Sequence, residues 1–404
     1  MRRLFLLVFS FYFLVSSPLA AQELVLSDSA FASVITCGVG NEYYLSWGHS
    51  AIRVCDPTMG IDYAYNYGTF DFDTPHFYWK FACGDLNYCL SRTRFSHFLS
   101  EYVYEERAVW EQRLRLTPQE VKNLFVLLET NYMPEYRYYK YDFFRDNCAT
   151  RVRDMIASCL VHRTLSPETT LAPRGRRPQF THSPKSYRDY LYEPTERTKL
   201  WWRLGVDITL GMRCDHPCTN YETMFSPIKM METFDTMTVS DTKQPIVEPA
   251  VQLLEDNQEP LAASIPPTLV FWVFFGVMAG LTCMSIMKGW RLTAVDRILY
   301  ITAALISLLI IFLWFFTSHY CTKYNLNILW ASPLFIYFAI RPLSPFPFSF
   351  FNWVAWIQVV MLLAAVFFCI FPHPQRLNAA IAPIALTLAM RLIANLSTYK
   401  HINK

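Results

Sequence analysis

A cysteine at the start of a predicted helix is the residue in this sequence best placed to act as a nucleophile. Cys148 stands in YDFFRDNCATRVRD (141–154), directly behind Asp146 and Asn147, either of which can cap the helix that follows. A thiol in the first helical turn faces free backbone N–H groups and the positive end of the helix dipole, which favour the thiolate. The stretch therefore predicts a reactive cysteine, with a buried structural thiol or a disulfide half as the alternatives.

A cysteine nucleophile also needs a base and a group that orients the base, and a predicted hairpin supplies both. His49 heads the strand-like segment GHSAIRV (48–54), and IDYAYNYGTFDF (61–72) is typical of the partner strand. This pairing places Asn66 opposite His49, with Asp62 as the alternative orienting residue. The histidine precedes the cysteine, which reverses the usual order in papain-like enzymes. A satisfied hairpin histidine and a turn amide are the simpler interpretations of His49 and Asn66.

The elements around these residues mix strands and helices, which predicts an α+β domain. TPQEVKNLFVLLETN (117–131) is a helix whose start is marked by Thr117 as N-cap and Glu120 as the closing residue of a capping box. Residues 164–184 have the composition of a loop, and 238–267 carry five prolines and are predicted to be a linker. The catalytic domain is accordingly expected to span residues 22–237.

The high hydrophobic content and low net charge are typical of a membrane protein. The chain has 404 residues, of which 53% are hydrophobic, and 36 Lys and Arg against 33 Asp and Glu leave a net charge of only +3, which gives no case for nucleic acid binding. Residues 1–21 form a predicted signal peptide, with an uncleaved anchor as the alternative, so the next domain is exported in either case.

The last third of the chain, residues 268–404, is predicted to form a transmembrane domain of about five spans. The apolar runs are 268–287, 298–317, 327–340, 351–371 and 379–396. The third run is short and contains Pro333, so a re-entrant or tilted segment is the alternative to a crossing. Arg391 lies near one end of the fifth run, where it can snorkel to the surface. Lys and Arg concentrate in the loops 288–297 and 341–350 and in the tail, which places residues 22–267 on the exported side.

Cysteine usage fits an exported domain and does not predict a metal site. Eight of the 11 cysteines lie in the exported domain. Cys214 and Cys218, and likewise Cys83 and Cys89, are spaced closely enough to form disulfides. A zinc site built from Cys214, Cys218 and His216 lacks a fourth ligand. The sequence therefore predicts neither a metal nor any other cofactor.

Several segments in the same order resemble the lipoprotein N-acyltransferase family of Bacteroidota (Lnb). They include WGHSAIRV, YNYGTFDF, FYWKFACGDLNYCLS and YDFFRDNCATRVRD in the exported domain, then SYRDY, GVDITLGMRCD and MFSP, and HYCTKYNLNILWASPL in the membrane half. The order of histidine and cysteine also resembles the permuted papain-like fold of lecithin:retinol acyltransferase relatives. The resemblance puts the nucleophile on Cys148 and the base on His49, and it leaves the third residue, Asn66, as an inference from the hairpin.

The resemblance implies a cysteine-dependent acyltransferase of the bacterial inner membrane, multi-pass, with its N-terminal domain in the periplasm. Its expected partners are a membrane phospholipid as acyl donor and a diacylated lipoprotein as acceptor, joined through a thioester on Cys148. The alternatives are a periplasmic phospholipase, in which water replaces the amine, a papain-like peptidoglycan amidase, and a non-enzymatic assembly factor with a structural thiol.

Further residues are candidates for supporting roles. Asp146, Asn147 and Asp62 are expected to support catalysis, and the candidates for substrate binding are Arg145, Arg151, Tyr138, His319, Asn325 and Asn327. Asp207 and Asp215 could orient a loop near the site or cap local structure. The aromatic stretches HFYWKF (76–81) and EYRYYKYDFF (135–144) are predicted to contribute mainly core packing, with an acyl groove or the membrane interface as the alternatives.

Overall fold

The computed structural model describes residues 26–160, 165–166, 182–195, 198–240, 243–340 and 348–402. The predicted signal peptide, residues 1–21, and most of the predicted loop 164–184 lie outside the described residues. The rest of the chain forms two parts. Residues 26–254 form an α+β part, here called the sheet domain, and residues 267–402 form the helical domain.

The sheet domain is built on seven antiparallel strands in the order β11-β5-β1-β2-β3-β4-β6. Two-stranded pairs, β10 with β7 and β8 with β9, complete the strand content among the described residues. The bounds are β1 Phe31–Cys37, β2 His49–Asp56, β3 Ile61–Thr69, β4 Asn87–Arg94, β5 Val109–Arg113, β6 Tyr138–Lys140, β7 Leu165–Ser166, β8 His182–Ser186, β9 Pro217–Thr219, β10 Thr238–Val239 and β11 Val251–Leu254.

The helices of the sheet domain cover both faces of the sheet. They are α1 Phe77–Cys83, α2 Phe95–Tyr104, α3 Pro118–Tyr132, α4 Cys148–Cys159, α5 Tyr187–Tyr192, α6 Leu200–Thr209, α7 Asn220–Thr223 and α8 Pro227–Thr236, with 3₁₀ turns at Tyr43–Leu45, Glu193–Thr195 and Met212–Cys214. One core packs α3, α4 and α8 against the sheet, and a second packs α2 on the opposite face. The interior strand β1 is consequently buried along six of its seven residues.

The predicted start of α3 is confirmed by its hydrogen bonds. Thr117 Oγ1 accepts from the backbone N–H of Glu120 at 3.3 Å, and the Glu120 carboxylate accepts from the backbone N–H of Thr117 at 2.8 Å. Pro118 occupies the first helical position, where its missing N–H costs nothing. These contacts fix the N-terminal end of α3, and the apolar face of this helix packs beside α4.

The segment predicted as a linker, residues 238–267, differs from the prediction over its first half. Thr238–Val239 pairs with β7, and Val251–Leu254 pairs with β5 to form one edge of the main sheet. Between them, Ile246 and Val247 are fully buried in the larger core. Proline content suggested a linker, but the apolar residues between the prolines complete the fold of the sheet domain.

The helical domain contains α9 Pro267–Lys288, α10 Thr293–Phe315, α11 Leu334–Ile340, α12 Phe348–Ile370 and α13 Ile381–Ile402, with 3₁₀ turns at Tyr320–Thr322 and Leu326–Leu329. Among the described residues, three helices are long and apolar enough to cross a membrane: Pro267–Lys288, Thr293–Phe315 and Asn352–Ile370. They correspond to the first, second and fourth predicted spans. Ile381–Leu396 is a shorter apolar stretch of the fifth.

The third predicted span, 327–340, does not form one continuous helix. A 3₁₀ turn at Leu326–Leu329 is followed by a break at Ser332 and Pro333 before α11 begins at Leu334. Proline has no N–H to donate and is disfavoured inside a helix, so the break falls where the sequence placed it. The seven residues of α11 are too few to span the hydrocarbon core, which needs about 20.

Arg391 does not snorkel to the surface, which corrects the prediction. Its guanidinium is buried and binds the carboxylate of Asp296 at 2.7 and 2.9 Å, and it donates to Thr282 Oγ1 at 3.0 Å. Asn395 donates to the same carboxylate at 3.1 Å. A charge in apolar surroundings is tolerated when it is paired, so the partner on α10 keeps Arg391 inside the helix bundle.

Replacing Arg391 by Leu is expected to lower the stability of the helical domain by about 3–5 kcal/mol, because the Asp296 carboxylate is left buried without its counter-ion. The measurement is the thermal unfolding midpoint of the detergent-solubilised protein. The double substitution Arg391→Leu with Asp296→Leu should recover most of the loss, since it removes both charges. Equal midpoints for wild type and Arg391→Leu would show that the pair contributes nothing.

Candidate active site

Cys148 is the first residue of α4, and the residue before it fixes the helix start. Asn147 Oδ1 accepts from the N–H of Thr150 at 2.9 Å, and Thr150 Oγ1 accepts from the N–H of Asn147 at 2.8 Å. The Asn147 amide group also donates to the carbonyls of Phe143 and Phe225 at 2.8 Å each. Asn147 is thus a buried cap that positions the nucleophile, and Thr150 is its partner, which the sequence reasoning missed.

His49 and Asn66 meet at one end of the β2–β3 pair. Ile52 pairs with Tyr65, so the continued register places Asn66 opposite Ala51 rather than opposite His49, which corrects the prediction. Residues two apart on a strand share a face, so Asn66 still lies on the same face of the sheet as His49. His49 Nε2 lies 2.5 Å from Asn66 Oδ1. An amide oxygen only accepts, so Nε2 carries the proton and Nδ1 is left to face another group.

The thiol of Cys148 lies close enough to His49 for each group to shift the pKa of the other through charge and hydrogen bonding. The structure therefore brings Asn66, His49 and Cys148, here called the triad, into one site, although Asn66 and Cys148 are 82 positions apart in the chain. Cys148 is 7% exposed, while His49 and Asn66 are half-buried. This arrangement suits proton transfer between thiol and imidazole.

The electrostatics of the triad favour a charged thiolate–imidazolium pair. Burial alone would raise the pKa of Cys148, but the neighbouring His49, its hydrogen bond, and the backbone N–H groups of Ser50 and Ala149 bring it below the ordinary value. Burial alone would lower the pKa of His49, but Cys148 and Asn66 bring it above the ordinary value. Each partner therefore stabilises the charged form of the other.

Cys37 and Cys55 have raised pKa values, in contrast to the lowered pKa of Cys148. Burial raises the pKa of Cys55, and it raises the pKa of Cys37 to about 12. All 11 cysteines are described as free thiols, so the predicted pairs Cys214 with Cys218 and Cys83 with Cys89 are not bonded in this structure. No group of three or more His, Cys, Asp or Glu able to hold a metal is present in the described part of the chain.

Asp146 and Arg151 bind each other beside the nucleophile. Their side chains form a two-point ion pair, one contact of which is Arg151 Nη2 to Asp146 Oδ2 at 2.7 Å, and the Arg151 guanidinium stacks on the ring of Tyr139 at 4.1 Å. Both residues flank Cys148 in the chain, and their roles in catalytic support and substrate binding stay predictions. The ion pair ties the turn before α4 to the second turn of the helix.

Asp62 does not reach His49. It lies opposite Cys55, four residues along β3 from Asn66, and its carboxylate binds the guanidinium of Arg53 at 2.7 and 2.9 Å. Residues two apart on a strand lie on the same face of the sheet. Asp62 and Asn66 therefore lie on the same face, but they are four residues apart along β3. Asn66 is the orienting residue that the geometry supports.

Three of the predicted substrate-binding residues lie on the surface around the triad or at the contact with the helical domain. Arg145 is exposed and stacks on Tyr320 at 4.5 Å, which joins the nucleophile loop to the segment after α10. His319 Nε2 lies 3.2 Å from the carbonyl of Ala82 at the end of α1. Tyr138 is half exposed, and its hydroxyl accepts from Arg137 at 2.8 Å.

Asn325 and Asn327 are buried inside the junction between the two domains, so they do not form a hydrated loop or an open substrate path. Each is 1% exposed. Asn325 donates to the carbonyl of Ile208 at 2.8 Å, and Asn327 donates to the carbonyl of Asp207 at 2.9 Å. The amide oxygen of Asn327 accepts from the indole of Trp330 at 2.8 Å. Their polar atoms are used to hold α6 of the sheet domain.

A buried ion cluster extends the same junction. Arg188 is fully buried and binds Asp207 at 2.7 Å and Asp215 at 2.8 Å. Asp207 also accepts from Asn378 of the helical domain at 2.7 Å. Buried charges are stable only when paired and hydrogen-bonded, so this cluster fixes one orientation of the sheet domain on the helical domain. Sequence reasoning noticed both aspartates and missed Arg188, although it stands in the quoted segment SYRDY.

Comparison with known protein families gives two matches. The Lnb N-terminal periplasmic domain matches residues 22–182, which include the whole triad, and the Lnb transmembrane domain matches residues 258–402. Comparison with curated proteins gave no match. Comparison with solved structures gave none either. With an α+β domain of the periplasmic type joined to helices that can span a membrane, the chain belongs to the Lnb family.

Proposed function

We propose that this chain is an apolipoprotein N-acyltransferase that moves a fatty acyl group from a membrane phospholipid to the N-terminal amine of diacylglyceryl-cysteine lipoproteins. Membership of the Lnb family suggests lipoprotein N-acylation. The observation that carries the mechanism is the placement of Cys148 at the start of α4 beside His49, whose Nε2 lies 2.5 Å from Asn66 Oδ1; this setting lowers the pKa of the thiol. We assign nucleophile, base and orienting residue to Cys148, His49 and Asn66.

A permuted papain-like arrangement of the sheet domain is part of the proposal. It is supported by a nucleophile at the N-terminus of α4 that packs on an antiparallel sheet, and by a histidine at the head of a strand that precedes it in the chain. The same arrangement of catalytic residues arises on unrelated folds with different chain orders, so the roles of the side chains define the site.

In the first half-reaction, the Cys148 thiolate attacks an ester carbonyl of the phospholipid and a carbon–sulfur bond forms. The carbonyl oxygen becomes an oxyanion, which the backbone N–H groups at the start of α4 are placed to receive. When the oxyanion collapses, the carbon–oxygen bond breaks and His49 gives its proton to the departing alkoxide. A lysophospholipid leaves, and the acyl group remains on Cys148 as a thioester.

In the second half-reaction, the α-amine of a diacylated lipoprotein attacks the thioester carbonyl. His49 takes a proton from the amine, an amide bond forms, and the thiolate of Cys148 leaves. The product is a triacylated lipoprotein, and the thiolate–imidazolium pair is restored. Asn66 accepts from His49 Nε2 throughout, which keeps Nδ1 directed at the sulfur and at the incoming amine.

Both substrates are lipids, and the attachment of the sheet domain suits them. Asn325, Asn327 and the Arg188 cluster fix the sheet domain on the helical domain, close to the membrane surface where both substrates reside. Tethering an enzyme to the surface that carries its substrates raises their effective concentration. The proposed location is the bacterial inner membrane, with the site on its periplasmic side.

The experiment that tests the function is the intact mass of a synthetic diacylated lipopeptide after incubation with the detergent-purified protein and phosphatidylethanolamine. The proposal expects a gain of one fatty acyl group on the N-terminal amine and an equivalent amount of lysophospholipid. Fatty acid released without a gain in peptide mass would replace the transferase with a phospholipase. Neither product would reject both and return the choice to a peptidoglycan amidase or an assembly factor.

A further inference from the structure

Helix α1, Phe77–Cys83, carries a strongly apolar surface that the described residues of the sheet domain leave exposed. Tyr78 is 82% exposed, Trp79 64% and Phe81 54%, and Phe72 in the preceding loop is 70% exposed. None of the seven residues of α1 is buried. The prediction that HFYWKF contributes mainly to a core is therefore wrong for this helix. Contiguous exposed apolar surface of this kind marks an interaction site.

The position of α1 relative to the helical domain indicates what it contacts. The ring of Trp79 lies 5.4 Å from Phe312, one turn before α10 ends at Phe315. The N–H of Ser318 donates to the carbonyl of Cys83 at 2.9 Å, and its hydroxyl donates to the carbonyl of Gly84 at 2.7 Å. Since α10 is long and apolar enough to cross a membrane, the end of α10 that contacts α1 is expected near the membrane surface.

Ser318 and His319 approach Gly84 too closely to leave room for a side chain at that position. A Cβ built on Gly84 would lie 2.5 Å from Ser318 Oγ and 3.1 Å from the His319 ring, and its φ of +69° is in the left-handed region. Glycine is thus required to end α1 against the segment that follows α10. The helix is held in place rather than attached loosely, so its apolar side faces the surroundings of α10 in a fixed orientation.

A continuous series of aromatic rings leads from α1 to the nucleophile. Centroid distances are 6.3 Å from Phe81 to Phe77, 5.7 Å from Phe77 to Phe70, 5.3 Å from Phe70 to Tyr88, and 4.5 Å from Tyr88 to Tyr141. At the inner end, Gly68 leaves space beside both Tyr141 and Cys148, since a Cβ there would lie 3.6 Å from the Tyr141 ring and 3.8 Å from Cys148 Cβ. Phe70, Phe77 and Tyr141 are each partly exposed along this path.

We propose that α1 and this series of rings, together called the aromatic track, bind the acyl chain of the phospholipid donor and guide its ester carbonyl from the outer leaflet to Cys148. The inference rests on the proposed function, because it assigns the donor subsite of the same reaction. The ligand is a long hydrocarbon chain. Rings with few polar atoms bury such a chain favourably and place no charge beside it.

Lys80 is the only charged residue in α1, and its position fits this role. The side chain is partly buried, and its long aliphatic stem can lie along apolar surface while the ammonium group stays in water or near a lipid phosphate. The exposed rings of Tyr78 and Phe81 then face the acyl region of the leaflet. The helix therefore divides the surface into a charged side and a lipid-facing side.

The test compares two acyl donors on variants of the full-length protein in detergent micelles. The double substitution Tyr78→Ser with Phe81→Ser shortens the outer end of the track without touching the triad. The donors are dipalmitoyl-phosphatidylethanolamine, whose chains fill the track, and dihexanoyl-phosphatidylethanolamine, whose chains are too short to reach from Cys148 to α1. The readout is the initial rate at which the intact protein gains the mass of one acyl group.

We expect the double variant to lose about tenfold in rate with the long-chain donor, because the apolar contacts that bind the distal methylenes are gone, and to stay within about twofold with the short-chain donor. The control is Tyr104→Ser, which removes a ring that is 89% exposed at the end of α2. Its rates should equal those of wild type with both donors. A thermal unfolding midpoint for each variant checks that the fold is intact.

The outcomes separate the two proposals. If wild type acquires no acyl group from either donor, the acyl-enzyme mechanism has failed. The track is then judged by photo-crosslinking a phospholipid with a diazirine at the acyl terminus, which should label peptides containing Tyr78 or Phe81 and spare the Tyr104 peptide. If wild type is acylated and the double variant matches it with the long-chain donor, or loses equally with both donors, the track is overturned while the proposed function stands.

Discussion

Replacing Cys148 by Ala is expected to abolish the transfer of an acyl group to a diacylated lipopeptide. The substitution removes the sulfur atom that forms the proposed covalent intermediate, and removal of a covalent nucleophile costs on the order of 10⁴-fold or more in kcat. The lowered pKa of this thiol and its hydrogen bond to His49 are the reasons to expect the full loss. The measurement is the rate of N-acylated lipopeptide formation by mass spectrometry.

A second cysteine on the same sheet provides the matched control. Cys55 on β2 is buried, and burial raises its pKa, so it is an unreactive thiol. Cys55→Ala should keep the rate of wild type to within a few-fold, and both variants should be compared by thermal unfolding. A Cys148→Ala protein that is folded and still transfers acyl groups would contradict the assignment of the nucleophile.

Replacing His49 by Ala is expected to lower the acyl transfer rate by about 10²–10⁴-fold, the usual contribution of general acid–base catalysis. The same change should alter the pH dependence of the reactivity of the Cys148 thiol. In wild type the thiolate persists below the ordinary pKa of cysteine, because the pKa of Cys148 is lowered while that of His49 is raised. Alkylation by iodoacetamide should therefore begin at a lower pH in wild type than it does for an ordinary cysteine.

In His49→Ala the loss of the imidazolium raises the pKa of Cys148 toward its usual range or above it. Alkylation at acidic pH should therefore be slower than in wild type, and the whole pH profile should move toward the ordinary pKa of a thiol, with rates that recover as the pH rises toward 9. His97→Ala, at an exposed position on α2, is the control. Alkylation profiles that are identical in wild type and His49→Ala would show that the histidine does not act on the thiol.

The triad was accessible from sequence because each of its members lies in a segment with a strong local signal. The hairpin of β2 and β3 follows from two strand-like segments around a short turn, and it brings His49 and Asn66 to the same end. The helix start at Cys148 follows from its polar capping residue. A hairpin and a capped helix are local structures, so their residues can be placed without knowing the rest of the fold.

The structural roles of Asn325, Asn327 and Arg391 could not be predicted from local sequence, because their hydrogen-bond partners are far away in the chain. Asn325 binds the carbonyl of Ile208, 117 residues earlier, and Arg391 binds Asp296, 95 residues earlier. In the sequence, an asparagine between two apolar segments is typical of a hydrated loop. The sequence does not show whether a distant carbonyl accepts a hydrogen bond from its side chain. Only the packing of the two domains shows that these side chains are buried.

The strand at 251–254 and helix α1 illustrate two further limits. Prolines on both sides of Val251–Leu254 indicated a linker, but the free edge of β5 accepts this short strand. Aromatic residues usually pack in cores, so the rings of α1 were expected inside, yet they are exposed beside the end of α10. In both cases the deciding factor is a surface supplied by a distant part of the chain.

The most direct test of the central claim is the intact mass of the purified protein after brief incubation with phospholipid and no acceptor. We expect a fraction of the protein to gain the mass of one fatty acyl group, to lose it on treatment with neutral hydroxylamine or diacylated lipopeptide, and to carry it on a peptide that contains Cys148. Cys148→Ala should gain nothing. A wild-type protein that forms N-acylated lipopeptide while never carrying an acyl group, or that carries it on a residue other than Cys148, would contradict the account.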